Sequence, residues 1–257
     1  MKLHGSVALV TGASSGLGRA LAQALGEAGV DVAVGYRDAR EAAEQTCAAI
    51  RASGRTSAST AGRRAMPVRL DQTDPASIDA AVAETAKELG RIDILVNCAA
   101  WSTDVPFADL AAMTPELWDR IHQTNLRGPF LLARACAPHL KAHGQGRIIN
   151  VSGGSAFTPS GSSIAQAAAK AALVHLTRCL AVAMAPEVTV NCVAPGLMAG
   201  TGMASRVSPE GFEAARQRTA LKCTTSIQDV AEQVLAFCRA DSVTGQTLVL
   251  DGGHVFH

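Results

Sequence analysis

The sequence is poor in aromatic side chains, at 4%, and contains a single tyrosine, Tyr36, among 257 residues. It also lacks an excess of either charge: the formal net charge is +1, so no long-range field marks nucleic acid or an anionic membrane surface as a partner. No apolar run approaches the roughly 18 residues of a spanning helix, and the opening MKLHGSVALVTG reads as a first strand rather than a leader. The seven cysteines, an odd count, contain no C-x-x-C pair, which excludes a disulfide framework and suits a reducing cytoplasm. Metal-ligand spacing is likewise missing. His139 and His143 stand four apart but read as an exposed helix end, and the cysteines read as small apolar core residues. These absences leave a soluble cytoplasmic protein with a small-molecule partner and no metal as the expectation.

Hydrophobic residues make up 48% of the chain, enough for a sizeable core in one large domain. Short β-branched runs at Val7–Val10, Val32–Val34, Met66–Leu70, Ile92–Val96, Arg147–Val151, Val188–Val193 and Thr247–Leu250 read as strands. Between them, helical spacing marks Leu17–Ala28, Ala39–Ala52, Ser77–Leu89, Leu117–Lys141, Ala165–Met184 and Gln228–Arg239. Apolar strands separated by crossover-length helices call for a parallel sheet covered on both faces. The fold class is therefore α/β: one doubly wound domain over residues 1–257 with a seven-stranded parallel sheet. The polar stretch Arg55–Arg64 reads as a surface loop or insertion.

Directly after the first strand, Thr11-Gly12-Ala13-Ser14-Ser15-Gly16-Leu17-Gly18 opens the first helix. Glycines there permit a tight turn and a close approach of backbone amides to a pyrophosphate, while the helix N-terminus adds partial positive charge. A Gly-rich octet alone is a plain turn; between a strand and a helix it reads as the phosphate cradle of a Rossmann-type fold.

The octet matches T-G-x-x-x-G-x-G, and over nearly its whole length the chain resembles the short-chain dehydrogenase/reductase family. Further matches are Asp71 after the third strand, Asn97-Cys98-Ala99-Ala100 in place of N-N-A-G, Asn125 within T-N-L, Lys170, and Pro195-Gly196 after the sixth strand. Thr244-Gly245-Gln246 and Asp251-Gly252-Gly253 are also family-like. The resemblance implies cofactor contacts at Gly12, Ser14, Ser15, Gly16, Leu17, Gly18, Arg37, Asp71, Gln72, Asn97, Ala99, Lys170, Pro195, Gly196 and Met198. Taken singly, Asn125 could bridge a helix kink near Pro129, Asp71 could cap the helix beginning at Pro75, and Asn97 could close a turn. At the end of the second strand Arg37 can pair with a 2′-phosphate, where an acidic residue would repel one, so NADP(H) is favoured over NAD(H).

In that family, Tyr gives a proton to the substrate, Ser holds the carbonyl oxygen, Lys lowers the Tyr pKa and binds ribose, and Asn organises a proton path. The Tyr position, four before Lys170, holds Gln166, and the Ser position, thirteen earlier still, holds Gly153. Tyr36 belongs to the adenosine end and cannot substitute. Gln166 can orient a group but has no proton to give. Ser152 and Ser155 flank Gly153; either could approximate the lost hydroxyl, or both could be ordinary turn serines. Lys170 would still bond the ribose, or could snorkel from an exposed helix face. Asn125 could hold a water beside it. Cys98 adjoins the nicotinamide region, with nothing nearby in sequence to lower its pKa. The candidate catalytic set is Asn125, Lys170, Gln166 and Ser152.

A Gly- and Met-bearing segment follows Pro195-Gly196, and the resemblance makes residues 197–222 a substrate lid, with Met198 and Met203 suggesting a compact apolar substrate. It also implies a homodimer or homotetramer built on the long helices. The expected function is an NADP(H)-binding oxidoreductase whose altered site takes its proton from substrate or water. The rivals are a catalytically inactive dinucleotide sensor or partner subunit, and non-redox elimination or isomerisation around Lys170.

Overall fold

The computed structural model describes residues 1–53, 64–202 and 204–256. Strands β1 (Val7–Val10), β2 (Asp31–Tyr36), β3 (Ala65–Arg69), β4 (Ile94–Asn97), β5 (Gly146–Val151), β6 (Val188–Pro195) and β7 (Thr247–Leu250) form one sheet in the order β3-β2-β1-β4-β5-β6-β7. Every pairing is parallel. The helices are α1 (Gly16–Glu27), α2 (Arg40–Ser53), α3 (Pro75–Leu89), α4 (Pro115–His122), α5 (Gly128–Lys141), α6 (Ile164–Met184), α7 (Pro209–Arg218) and α8 (Ile227–Arg239).

Alternation along β1 shows why its run is apolar throughout. Ala8 and Val10 join the core under α1, α2 and α8 with Leu21, Ile50 and Val234, whereas Val7 and Leu9 join the core under α3, α5 and α6 with Ile78, Leu132 and Leu180. A strand covered on both faces has no solvent side to make polar. The chain moves outward from β1 to β3 and then returns to lay β4 beside β1, so the carboxyl ends of β1 and β4 border a topological switch point, where open α/β sheets bind their ligands.

The expected helix Leu117–Lys141 is instead three pieces: α4, a π-helical turn at Gln123–Arg127, and α5. Pro129 in the first turn of α5 cannot donate an amide, and the Asn125 side chain is drawn out of the helix onto the Trp101 backbone, which together break the regular pattern. α3 starts two residues before the expected Ser77, because Asp74 accepts from Ala76 N and Pro75 suits a first turn. α6 is long and apolar enough by composition to cross a membrane, but here it packs on the sheet with Gln166, Lys170 and Thr177 buried. The loop expected at Arg55–Arg64 lies, except for Arg64, outside the described residues, as does Met203.

Opposite the switch point, the buried Arg147 ties the sheet together. It donates to the carbonyls of Cys238, Gln145 and Gly146 and to the Asp241 carboxylate. Arg147→Met would remove these donors, leaving the Cys238 carbonyl only the Met1 amino group at 3.4 Å, and is expected to cost about 2–3 kcal/mol, read as a lower urea midpoint with unchanged slope.

Candidate active site

The turn from β1 into α1 is built around contacts that admit no side chain. A β-carbon on Gly12, at φ +64°, would lie 2.9 Å from Ala99 Cα, and one on Gly18 would lie 2.3 Å from the Gly12 carbonyl oxygen. Thr11 Oγ1 accepts from the amides of Cys98 at 3.0 Å and Ala99 at 2.9 Å, locking the ends of β1 and β4 together. Ser15 occupies the N-cap of α1 without a side-chain cap and no acid lies in the first turn. By contrast, Asp74, Thr114, Ser163, Ser208 and Ser226 each cap their helices. Arg19 donates to the Ser14 carbonyl at 2.6 Å and keeps a buried Nε without a partner. Uncapped amides, a spare guanidinium donor and glycine-only packing fit a diphosphate.

Around that turn the other candidates divide by what their side chains do. Arg37 is half exposed and pairs with Asp38 at 2.6 Å. Burial raises the Asp71 carboxyl, but bonds from the Thr73 hydroxyl and amide, with Arg37 and Arg69, outweigh it and hold it below the usual carboxylate range. Asp74, not Asp71, caps α3. The Gln72 amide is buried and donates to the carbonyls of Ala99 and Thr124, so its side chain braces the end of β4 against the π-turn. Asn97 donates to Asn150 Oδ1 at 2.8 Å, and its own Oδ1 is buried without a partner. The Leu17 and Met198 side chains pack into the core beneath α1. Gly196 donates its amide to Leu250 O and Thr225 Oγ1.

Lys170 and Gln166 stand one turn apart on α6, both buried. Lys170 is 3% exposed, which rules out snorkelling, and its Nζ donates to the Val151 carbonyl at 2.7 Å. Burial lowers its pKa, while Cys98 and Cys192 nearby pull the other way. Gln166 Oε1 is buried with no partner. Ser152 Oγ donates to the Lys170 carbonyl at 2.8 Å, so its hydroxyl anchors α6 to the end of β5. Asn125 spends both ends of its amide on Trp101, accepting from its N–H at 2.9 Å and donating to its carbonyl at 2.8 Å.

Two participants escaped the sequence reading. Trp101, pinned by Asn125 and covered by the Arg120 guanidinium 3.9 Å from its ring centroid, packs against the small cluster of Ile121, Ala165 and Ala169 beside Gln166. Arg206, in the segment between β6 and α7, reaches back to the Ser102 carbonyl at 3.2 Å and to Asp104 at 3.5 Å. Nothing local in sequence marks either, since both depend on partners far along the chain.

All seven cysteines are free, and Cys179 and Cys223 are exposed. Burial pushes Cys47 and Cys192 up to about 11 and Cys98, Cys136 and Cys238 up to about 12, although Lys170 partly offsets this at Cys98. The unfolded chain would lose these protons from about pH 8.5 upward, so the raised thiols make stability fall as pH rises through that window. The buried Lys170 acts oppositely, because the unfolded amine keeps its proton longer. A thiol reagent at about pH 8 is expected to label Cys179 and Cys223 in the native protein, the half-buried Cys98 only slowly because its thiol is pushed up to about 12, and the buried Cys47, Cys136, Cys192 and Cys238 only after unfolding. Rapid native labelling of Cys98 would contradict this assignment.

A parallel sheet with a glycine-built strand-to-helix turn at its switch point defines a Rossmann-type scaffold that fits a dinucleotide. A family model described as short chain dehydrogenase matches residues 6–211. A relative from Streptomyces violaceoruber, provisionally named ketoacyl reductase 2 of the granaticin polyketide synthase, is 39% identical, covering 96% of this chain and 95% of its own. The Arabidopsis thaliana NADPH-dependent aldehyde reductase 2 is 34% identical, over 98% and 94%. A short-chain dehydrogenase from Burkholderia cenocepacia, solved in complex with NADP, superposes with a TM-score of 0.87 at 32% identity, covering 99% of each chain. The chain belongs to the short-chain dehydrogenase/reductase family and is an oxidoreductase of that type.

Proposed function

We propose that the chain transfers hydride with NADP(H) in preference to NAD(H), at a site whose proton comes from the substrate or from water. The observation that carries this reading is the buried Gln166, with an unpartnered Oε1, at the position four residues before Lys170. An amide neither donates a proton at neutral pH nor stabilises a developing oxyanion as a phenol does. Substrates that carry their own acid or need none suit such a site: an iminium, an activated enone or a hydroxylated aromatic.

The bound dinucleotide supplies or accepts the hydride. The backbone from Gly12 to Gly18, with Ser14, Ser15 and Leu17, would hold its diphosphate, and Arg37 its 2′-phosphate, in line with the NADP-bound relative. Asp71 and Gln72 would border adenine, and Asn97, Ala99, Pro195, Gly196 and Met198 the nicotinamide half. Lys170 would leave the Val151 carbonyl to bond a ribose hydroxyl, bringing positive charge toward the reacting centre. Ser152 and Asn125, whose polar atoms are committed to Lys170 and Trp101, position α6 and the wall of the pocket. The lid over residues 197–222 closes the site, tethered by Arg206.

Assembly as a homodimer or homotetramer is part of this reading, supported by an open apolar groove of about 460 Å³ that Leu126, Phe130 and Leu176 help line. A cytoplasmic location accords with seven unpaired thiols.

The test is a single turnover of the NADPH-loaded protein, followed by the near-ultraviolet absorbance of reduced nicotinamide, against plain ketones, iminium ions and enones. Oxidation of one equivalent by a proton-bearing substrate, with plain ketones slower by about 100-fold or more, is the expected outcome. Tight cofactor binding with no oxidation by any of them would favour the sensor.

A further inference from the structure

The amino ends of the strands, at the opposite end of the sheet from the β1–α1 turn, border a second open cavity of about 530 Å³, the size of a small-molecule site. Lys2, Arg91, Asp93, Gln145, Arg239 and Asp241 line it. Arg91 and Asp93 come from the segment ahead of β4, Gln145 from that ahead of β5, and Arg239 and Asp241 from the end of α8.

Both carboxylates already have cations of their own. The buried Asp93 takes the Val7 amide on Oδ2 at 2.9 Å and Arg91 Nε and Nη2 on Oδ1 at 2.9 and 2.6 Å. Asp241 Oδ1 accepts from Arg147 Nη2 and from the Met1 amino group. Lys2 and Arg239 are left over: no described residue makes a hydrogen bond or ion pair with either side chain, and the Gln145 side-chain amide is equally uncommitted. Basic residues commonly gather at helix C-termini to meet the last carbonyls, but that task is filled by others here. At the end of α8 the Cys238 carbonyl takes Arg147 Nε at 3.0 Å and the Arg239 carbonyl takes the Met1 amino group at 2.9 Å, while at the end of α3 the Leu89 carbonyl takes Arg64 at 2.9 Å.

The cavity thus presents two uncompensated positive charges and a spare amide donor. A carboxylate brings one charge and two oxygens. A phosphate group brings between −1.5 and −2 at about pH 7 and three strong acceptor oxygens, which matches an ammonium, a guanidinium fork and an amide.

We propose that this cavity is a binding site for a phosphate group, held by Lys2, Arg239 and Gln145 and separate from the dinucleotide cradle. Inorganic phosphate and a phosphate monoester share this chemistry, and the cavity leaves room for the organic part of a monoester. The site does not depend on the oxidoreductase reading.

Calorimetry at low ionic strength tests it, with the native protein saturated with NADPH so that the cradle is filled. Inorganic phosphate and glycerol 3-phosphate are the probes, and at least one should bind with a Kd of about 1 mM or below. Tighter binding of glycerol 3-phosphate identifies a monoester as the source, and equal or tighter binding of inorganic phosphate identifies the free ion. Lys2→Gln with Arg239→Gln, with the helices retained by circular dichroism, should weaken binding by about tenfold or more, whereas Lys2→Arg with Arg239→Lys should retain it. Raising sodium chloride from about 20 to 150 mM should weaken it as well. Cofactor-free Gly18→Ala, with its cradle disturbed, should bind the probe as tightly as the NADPH-loaded native protein. No binding of either probe up to about 10 mM, affinity unchanged in the double glutamine variant, or binding that NADPH abolishes would overturn the proposal, the last by placing the phosphate in the cradle.

Discussion

Returning a serine and a tyrosine to the site, as Gly153→Ser with Gln166→Tyr, is expected to raise kcat/KM for a plain ketone such as cyclohexanone by about 10³-fold or more. A general acid contributes about 10²- to 10⁴-fold and an oxyanion donor about 10²- to 10³-fold, and groups that act as a unit are not additive. Either replacement alone should therefore give much less than the pair. The backbone is ready for the serine: Gly153 is extended at φ 176°, and nothing lies nearer than 3.7 Å to its would-be β-carbon. One helical turn separates residue 166 from Lys170, so a phenol there would face an ammonium able to lower its pKa. Steady-state rates at saturating NADPH check the prediction. If the double replacement leaves ketone turnover unchanged while binding NADPH normally, the missing acid is not what limits the native chain.

The second large effect lies at the cradle. Gly18→Ala would place a methyl carbon 2.3 Å from the Gly12 carbonyl oxygen and 2.8 Å from its carbon, both backbone atoms that cannot step aside like a flexible side chain. The β1–α1 turn must open, moving the amides that would face the diphosphate. NADPH affinity should fall by about 100-fold or more, with far-ultraviolet circular dichroism showing the helices retained. Undiminished affinity would mean that the diphosphate is held elsewhere.

The doubly wound architecture was legible because its evidence is local and repetitive. Apolar strand runs recur between helical spacings, and each predicted strand is present, with ends displaced by no more than a few residues. The break between α4 and α5 was hidden because the apolar pattern continues through the π-turn, while its cause, the Asn125 to Trp101 pair, joins residues 24 apart. Counting back from Lys170 puts Gln166 and Gly153 where the family's pattern has Tyr and Ser. What spacing could not reveal is the use of each remaining polar atom. Ser152 and Ser155 look alike in sequence, yet one hydroxyl bonds the Lys170 carbonyl while the other bonds none of the described residues. Gln72, named with the cofactor contacts, turns its amide inward to two carbonyls because the π-turn passes beside it.

One experiment addresses both halves of the central claim, a site that grips a dinucleotide yet owns no proton donor. NADPH is titrated into the native protein to saturation, cyclohexanone is then added, and the reduced cofactor is followed in the same sample. The account predicts saturable binding and then a cofactor that stays reduced over a period in which the Gly153→Ser/Gln166→Tyr protein consumes it. Failure to bind NADPH, or its prompt oxidation by the native chain, would contradict the account.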